Sequence, residues 1–328
     1  MTNNCAFLGV DIGGTNVKIG AITQDGKLLE QRKILTNVHR PPEEVIADIS
    51  NTVSDVRKIV ESQGSNVCSL GVGIPGTTDY GQGICQLLPN FPNGWKGVRI
   101  RELLETRLHL STFLINDVRA ITLAEKLFGA GRNVSSMVMV AIGTGIGGGV
   151  VIDNELVFGK DGSAGEFGHI NVEPDGILCG CGGRGCLECY ASGPAIAGFA
   201  LRALVQQNDT LIRDLVQGNY NKVTAAVVAQ AAEKGDRIAK EILATAGRYI
   251  GRAMATVAVV VNPEMVVIGG GVAQAGQVIF DSICESFHKT LFIIQSHTVQ
   301  IRLTELGIWA GIQGTAAWGM RKTMKNEQ

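Results

Sequence analysis

The chain has 328 residues, 45% hydrophobic and 18% charged, with a net charge of −1. That length suffices for two hydrophobic cores, and a near-neutral balance with no basic run argues against a nucleic-acid partner. The apolar run 253–261 is too short to cross a bilayer, and residues 1–4 lack the charged and apolar regions of a signal peptide, so no membrane contact and a cytoplasmic location are expected.

In chain order, residues 5–36 read as a strand meander turning at Asp25-Gly26. Apolar residues at helical spacing (Val45, Ile46, Ile49, Val53, Val56) predict a helix over 41–62. A short buried strand at 69–74 stops at Pro75-Gly76, and the aperiodic stretch 77–95 reads as loop. A helix over 100–108, a strand over 112–115 ending on Asn116-Asp117, and a helix over 120–128 follow. A second pair of strands spans 136–152. Ser192 is placed to cap a helix to 205, and helices are predicted over 223–234 and 237–261, the latter ended by Asn262-Pro263. A strand at 266–268, a helix at 280–290, a strand at 300–303 and a closing helix at 308–320 complete the chain. The order βββαβα, seen twice, predicts mixed sheets flanked by helices in two lobes. The expected division is a small lobe over 1–117, joined by the closing helix 308–328, and a large lobe over 118–307.

Glycine, 43 of 328 residues, gathers in two matching turns. Val10-Asp11-Ile12-Gly13-Gly14-Thr15 runs into Asn16-Val17-Lys18-Ile19, and Val140-Ala141-Ile142-Gly143-Thr144-Gly145 runs into Ile146-Gly147-Gly148-Gly149. Each is a strand, a glycine turn carrying threonine, and a second strand. Such turns aim successive N–H groups at a ligand and suit a phosphate. Two in register suggest a duplicated lobe closing on one polyphosphate. Asp11 has no counterpart at Ala141, which fits one magnesium held from one side. Gly269-Gly270-Gly271, after a Val-Val-Ile strand, offers a third backbone surface for a nucleotide and is neither GxGxxG nor a P-loop.

Eight cysteines include four within eleven residues (Cys179, Cys181, Cys186, Cys189); Cys5, Cys68, Cys85 and Cys284 read as small buried apolar residues. The C-x-C-x4-C spacing with interleaved glycines suits a structural zinc, its fourth ligand being His169 or Cys189, with His169 preferred because Glu188-Cys189-Tyr190 reads as the start of the next element. Asn116-Asp117, at the carboxyl end of a strand, could hold and deprotonate a hydroxyl or simply cap the next helix. Glu166 and Glu188, near the metal loop, are further hydroxyl acceptors, although exposed loop acids are common.

Together these motifs resemble the ROK family of repressors and kinases, within the actin-like, hexokinase-like ATPase superfamily. The resemblance rests on the two hairpins, on Val267-Ile268-Gly269-Gly270-Gly271, and on Gly165-Glu166-Phe167-Gly168-His169 followed by Cys179-x-Cys181-Gly182-x-x-Gly185-Cys186-x-Glu188. It implies two duplicated ribonuclease H-like lobes with a cleft between them and an ATP-dependent hexokinase, glucose being the first substrate. Fructose, mannose or an N-acylhexosamine is the alternative acceptor, and a non-catalytic sugar sensor or a repressor is the rival class. A repressor would carry a helix-turn-helix ahead of the kinase core, for which the position of Asp11 leaves no room. By resemblance, Asp117 is the general base. Gly76, Asn90, Asn116, Glu166, His169 and Glu188 hold the sugar. Asp11 helps hold Mg²⁺, and Gly13, Gly14, Thr15, Lys18, Thr144, Gly145 and Gly269 to Gly271 bind ATP. Cys179, Cys181, Cys186 and His169 bind zinc. A homodimer or higher homo-oligomer is implied, and the apolar helices 192–205 and 237–261 agree with it. One departure stands out: Val118-Arg119 follows the Asn-Asp pair where the family has a small residue and asparagine, and Arg119 is expected to point to solvent or to Glu125.

Overall fold

The computed structural model describes residues 4–88 and 91–326. In chain order the elements are β1 (Cys5–Ile12), β2 (Asn16–Thr23), β3 (Leu28–Leu35), α1 (Pro42–Ser62), β4 (Asn66–Ile74), β5 (Thr77–Asp79), β6 (Ile84–Leu87), α2 (Ile100–Leu108), β7 (Thr112–Asn116) and α3 (Asp117–Phe128). They continue with β8 (Met137–Ile142), β9 (Ile146–Ile152), β10 (Glu155–Leu156), α4 (Glu188–Ala191), α5 (Gly193–Val205), α6 (Ile212–Leu215) and α7 (Ala225–Glu233). The last are α8 (Arg237–Val261), β11 (Met265–Gly269), α9 (Gln277–Thr290), β12 (Gln300–Leu303) and α10 (Ala310–Asn326).

Two compact units result. The first takes the described residues up to Asn133, with Asn154–Ala164 and those from Glu305 on; the second takes Val134–Asp153 and Gly165–Thr304. The first unit therefore extends past the expected division at 117, because α3 packs against α10. Its sheet has the order β3-β2-β1-β4-β7, with the β1–β2–β3 meander antiparallel and β4 parallel to both β1 and β7. In the second unit the strands β9-β8-β11-β12 repeat the order β2-β1-β4-β7, with β8–β9 antiparallel and β11 parallel to its neighbours. The duplication expected from the alternation of elements is thus present as two mixed sheets.

The first sheet is buried on both faces. One face packs on α1, whose helix begins with Pro42 and two acids in its first turn and buries Val45, Ile49, Val53 and Val56. The other packs Phe7 and Ile22 against Leu123 of α3 and Ala316, Ala317 and Met320 of α10. Gly9 and Gly71 let α10 approach: a Cβ at either would lie 2.4 Å from the Ile312 carbonyl oxygen or 1.7 Å from that of Thr315. In the second unit α8 starts at Asp236, whose carboxylate accepts from Ala239 N at 2.7 Å, and ends at Asn262 in the left-handed region before Pro263.

The stretch 77–95, expected as loop, contains the hairpin β5–β6. Its turn is closed by Gly83 N donating to Asp79 O at 2.7 Å and Gln82 N donating to the Asp79 carboxylate at 2.9 Å. Strands this short give no readable alternation. Of the four scattered cysteines only Cys85 is buried; Cys5, Cys68 and Cys284 are half-buried. Among the described residues no helix is long and apolar enough to cross a membrane.

Candidate active site

In the first unit, β1, β4 and β7 run parallel, and their carboxyl ends carry Asp11, the turn after Ile74, and Asn116-Asp117. Ligand groups gather at this edge of open α/β sheets. Asn116 is the N-cap of α3: its side-chain oxygen accepts from Val118 N at 3.1 Å and Arg119 N at 3.2 Å, and its Nδ2 donates to Gly76 O at 3.2 Å. The capping role considered for Asp117 thus belongs mainly to its neighbour. Asp117 occupies the first helical position, half-buried, with Oδ1 accepting from Val118 N at 2.8 Å. Asn90 lies outside the described residues.

The tip of the first hairpin is closed by Gly13 N donating to Asn16 O at 3.0 Å. Thr36, at the end of β3, braces it twice: its N–H donates to Thr15 O at 3.0 Å and its hydroxyl to Gly13 O at 2.6 Å. Among the described residues the amides of Gly14 and Thr15 donate to no group of the chain. Beneath this tip the carboxylate of Asp11 is largely buried, and loss of solvation raises its pKa above the ordinary 3.8 while Lys18 pulls the other way from 3.8 Å. Lys18 also donates to Ile308 O at 2.9 Å. A desolvated carboxylate with one distant cation fits a divalent-metal ligand, directly or through water.

Arg119 departs from expectation. It is 1% exposed, and its Nε and Nη2 donate to Ala164 O at 3.1 and 2.7 Å, so it points neither to solvent nor to Glu125. The physical reason is that 119 lies on the buried face of α3 with Leu123. Glu125, also buried, accepts instead from Ala130 N at 2.9 Å, Glu305 N at 3.0 Å and Leu306 N at 3.1 Å, anchoring the returning chain ahead of α10.

In the second unit, β8 and β11 run parallel and lead into Gly143 and Gly270. A cavity of about 710 Å³ opens there, lined among others by Gly143, Thr144, Pro194, Ala226, Ala229 and Gly271. Gly143 N closes the tip on Gly145 O at 2.9 Å, and the amides of Thr144 and Gly145 donate to no group among the described residues. That leaves two N–H donors at the tip, beside a concavity of nucleotide size. Of the Gly269-Gly270-Gly271 run, Gly271 lines the cavity. Gly270, at φ +88°, lies against the Ile142 backbone, and Gly269 packs on Thr304.

Glu166 and His169 are exposed, His169 closing the short 3-10 turn Phe167–His169. The loop beyond folds back through Val172 N to Gly185 O (2.8 Å) and Cys179 N to Gly183 O (2.8 Å). It is stapled by Tyr249 Oη donating to Glu173 at 3.0 Å and Ile177 N donating to Tyr190 Oη at 2.9 Å. This fold brings the ligand atoms of His169, Cys179, Cys181 and Cys186 within 4.8 Å of one another. Cys181 Sγ lies 3.7 Å from Cys186 Sγ, and Cys179 Sγ 3.8 Å from His169 Nδ1. Tetrahedral bonds of about 2.3 Å separate sulfurs by about 3.8 Å, so the four residues fit a zinc ion. Cys189 is outside the four, its sulfur 4.0 Å from Leu178 O. Burial, then the neighbouring thiols, push Cys186 up to about 12, a thiol that ionises readily only with a cation beside it.

Glu188 opens α4 two residues after Cys186. Its Oε2 accepts from Ile146 N at 2.8 Å.

The fold and these two glycine tips define a nucleotide-binding α/β protein built from a duplicated unit. The chain matches the ROK family over residues 7–322 and belongs to that family. The glucokinase of Thermotoga maritima is 38% identical over 311 residues, 95% of this chain and 96% of that protein. Among solved structures, the ROK hexokinase from Thermus thermophilus superposes with a TM-score of 0.84 at 29% identity, covering 98% of this chain and 99% of that one. A ROK family glucokinase from Streptomyces griseus, in complex with glucose and AMPPNP, gives 0.82 at 32% identity, covering 96% and 99%.

Proposed function

We propose that the chain is an ATP-dependent hexokinase that transfers the γ-phosphoryl group of ATP to the 6-hydroxyl of glucose. The observation that carries this reading is the cavity of about 710 Å³ ending at the tip Gly143-Thr144, whose available amides suit a phosphate chain. Similarity to glucokinases along nearly the whole chain supplies the acceptor.

Phosphoryl transfer asks the protein mainly for positioning and charge neutralisation. The amides of Gly14, Thr15, Thr144 and Gly145 bind phosphate oxygens, with the Thr15 and Thr144 side chains beside them. Asp117 accepts the proton of the sugar hydroxyl as the new P–O bond forms. Asn116 fixes that start and ties it to Gly76. Glu166, His169, Glu188, Asn90 and Gly76 form the set that holds the remaining hydroxyls. Asp11 helps hold Mg²⁺, which neutralises phosphate charge when bound. Cys179, Cys181, Cys186 and His169 hold zinc, which makes the loop carrying His169 and Glu188 rigid. The exposed valines Val205 of α5 and Val260 of α8 agree with a homodimer, which sedimentation velocity tests.

The test is ADP release by metal-replete protein with Mg·ATP against glucose, fructose, mannose, N-acetylglucosamine and N-acetylmannosamine. The highest kcat/KM is expected with glucose. A better rate with another hexose overturns the glucose assignment alone, and no turnover with any sugar overturns the kinase assignment.

A further inference from the structure

The second hairpin is held by a residue expected to serve the sugar. The Glu188 carboxylate does not cap its own helix, where no side-chain cap is formed. It reaches a backbone amide 42 residues away in sequence, Ile146 N, immediately after the tip Gly143-Thr144-Gly145. The contact is tight: a Cβ at Gly145 would sit 2.6 Å from Glu188 Oε2, so residue 145 must be glycine for the carboxylate to rest there. Among the described residues the other carboxylate oxygen accepts no hydrogen bond.

The same short segment holds the opposite side of the tip. Ser192 N donates to the Glu188 carbonyl at 3.2 Å, and Gly193 N donates to Gly143 O at 2.8 Å. Residues 188–193 therefore bind both flanks of Thr144, the cavity-lining residue between them. With Ile146 N taken by Glu188 and Gly143 N by Gly145 O, the amides of Thr144 and Gly145 are the two that stay available. A carboxylate here accepts a charge-assisted bond, stronger than a neutral one.

We propose that Glu188 is a positioning residue for the phosphate hairpin: one oxygen fixes the tip that receives ATP, and the other is left for a sugar hydroxyl. This rests on the kinase reading above. It makes the segment after Cys186 a mechanical link, so that disturbing the metal loop alters nucleotide binding as well as sugar binding.

The experiment is calorimetric titration with Mg·AMPPNP in the absence of sugar. Glu188→Ala is expected to weaken binding about tenfold, the scale of one lost hydrogen bond to a charged group. Glu188→Asp, whose shorter side chain cannot span to Ile146 N, is expected to behave alike. Glu188→Gln keeps an oxygen acceptor and stays within about threefold of wild type. Gly145→Ala weakens binding by crowding Oε2, and adding Glu188→Ala to it costs less than the sum of the two single losses. A role confined to the sugar, or to folding, does not give this pattern. Unchanged zinc content and far-UV circular dichroism confirm that each variant is folded; if Glu188→Ala does not fold, Glu188→Asp carries the test.

Wild-type protein that binds AMPPNP, with Glu188→Ala and Glu188→Asp binding equally well, overturns the inference and leaves the kinase reading intact. Wild-type protein that binds AMPPNP without phosphorylating any sugar overturns the reading and leaves the brace. Failure of the wild type to bind AMPPNP overturns both.

Discussion

At the tip of the first hairpin the Thr36 hydroxyl donates to Gly13 O, whereas at the second the Glu188 carboxylate accepts from Ile146 N. Both turns close on the first glycine N–H and leave two amides available. The braces differ in kind and origin. Thr36 is a neutral group, 1% exposed, at the end of the adjoining strand β3, so the first tip is held by its own sheet. Glu188 is charged and follows the metal loop, so the second tip depends on a segment the sheet does not organise. The first hairpin carries the acid instead: Asp11 lies beneath it where the second has Ala141. The two turns thus share a closing bond and two available amides, while a different charged residue lies against each, Asp11 beneath the first and Glu188 on the second.

Asp117→Asn is expected to have the largest effect, since it removes the proposed base and leaves both tips intact. The predicted loss in kcat is roughly 10²–10⁴, with little change in AMPPNP affinity. Steady-state kinetics with titration checks it; a near-wild-type kcat would remove Asp117 from the chemistry.

Cys181→Ser disturbs the second brace at its source. Losing a proposed zinc ligand is expected to weaken zinc binding beyond the about 10–100-fold typical of outer partners, raising KM for glucose. Metal analysis after dialysis reads the first and kinetics the second; full zinc retention would contradict the assigned site.

Thr36→Val tests the first brace. Deleting one buried hydrogen bond is expected to cost about 1–2 kcal/mol of stability, read from urea unfolding, with zinc content unchanged. A stability equal to wild type would mean that the β3 contact does not hold the tip.

The smallest effect concerns pH. Burial raises Asp11, so the folded chain binds this proton more tightly than the unfolded chain does. Its contribution to stability therefore falls as pH rises from 3.8 through the raised folded value. Asp11→Asn lacks that slope and should gain on the wild type across this window in unfolding midpoints. Parallel curves would show that Lys18 already compensates the charge.

What was legible in the sequence depended on sequence distance. The glycine tips, the cysteine spacing and the Asn116-Asp117 pair are local patterns, and each chemistry demands its residues within a few positions. The duplicated sheet followed from the repeated order of elements. The braces were not legible: Thr36 reaches back 23 residues to Gly13, Glu188 42 residues to Ile146, and Arg119 forward 45 residues to Ala164. No periodicity encodes such pairings. Arg119 shows the limit best, because a charged residue in a helix reads as solvent-facing until the helix is seen to bury that side. The family pattern implies a sugar-binding role for Glu188, whereas its bond to the second hairpin is visible only in the fold.

Sugar phosphorylation by ATP is read by ³¹P NMR of wild-type protein with Mg·ATP and glucose. A phosphomonoester resonance of glucose 6-phosphate is expected to grow in step with ADP, with inorganic phosphate at background. ADP released with inorganic phosphate alone, or an unchanged ATP spectrum, would contradict it.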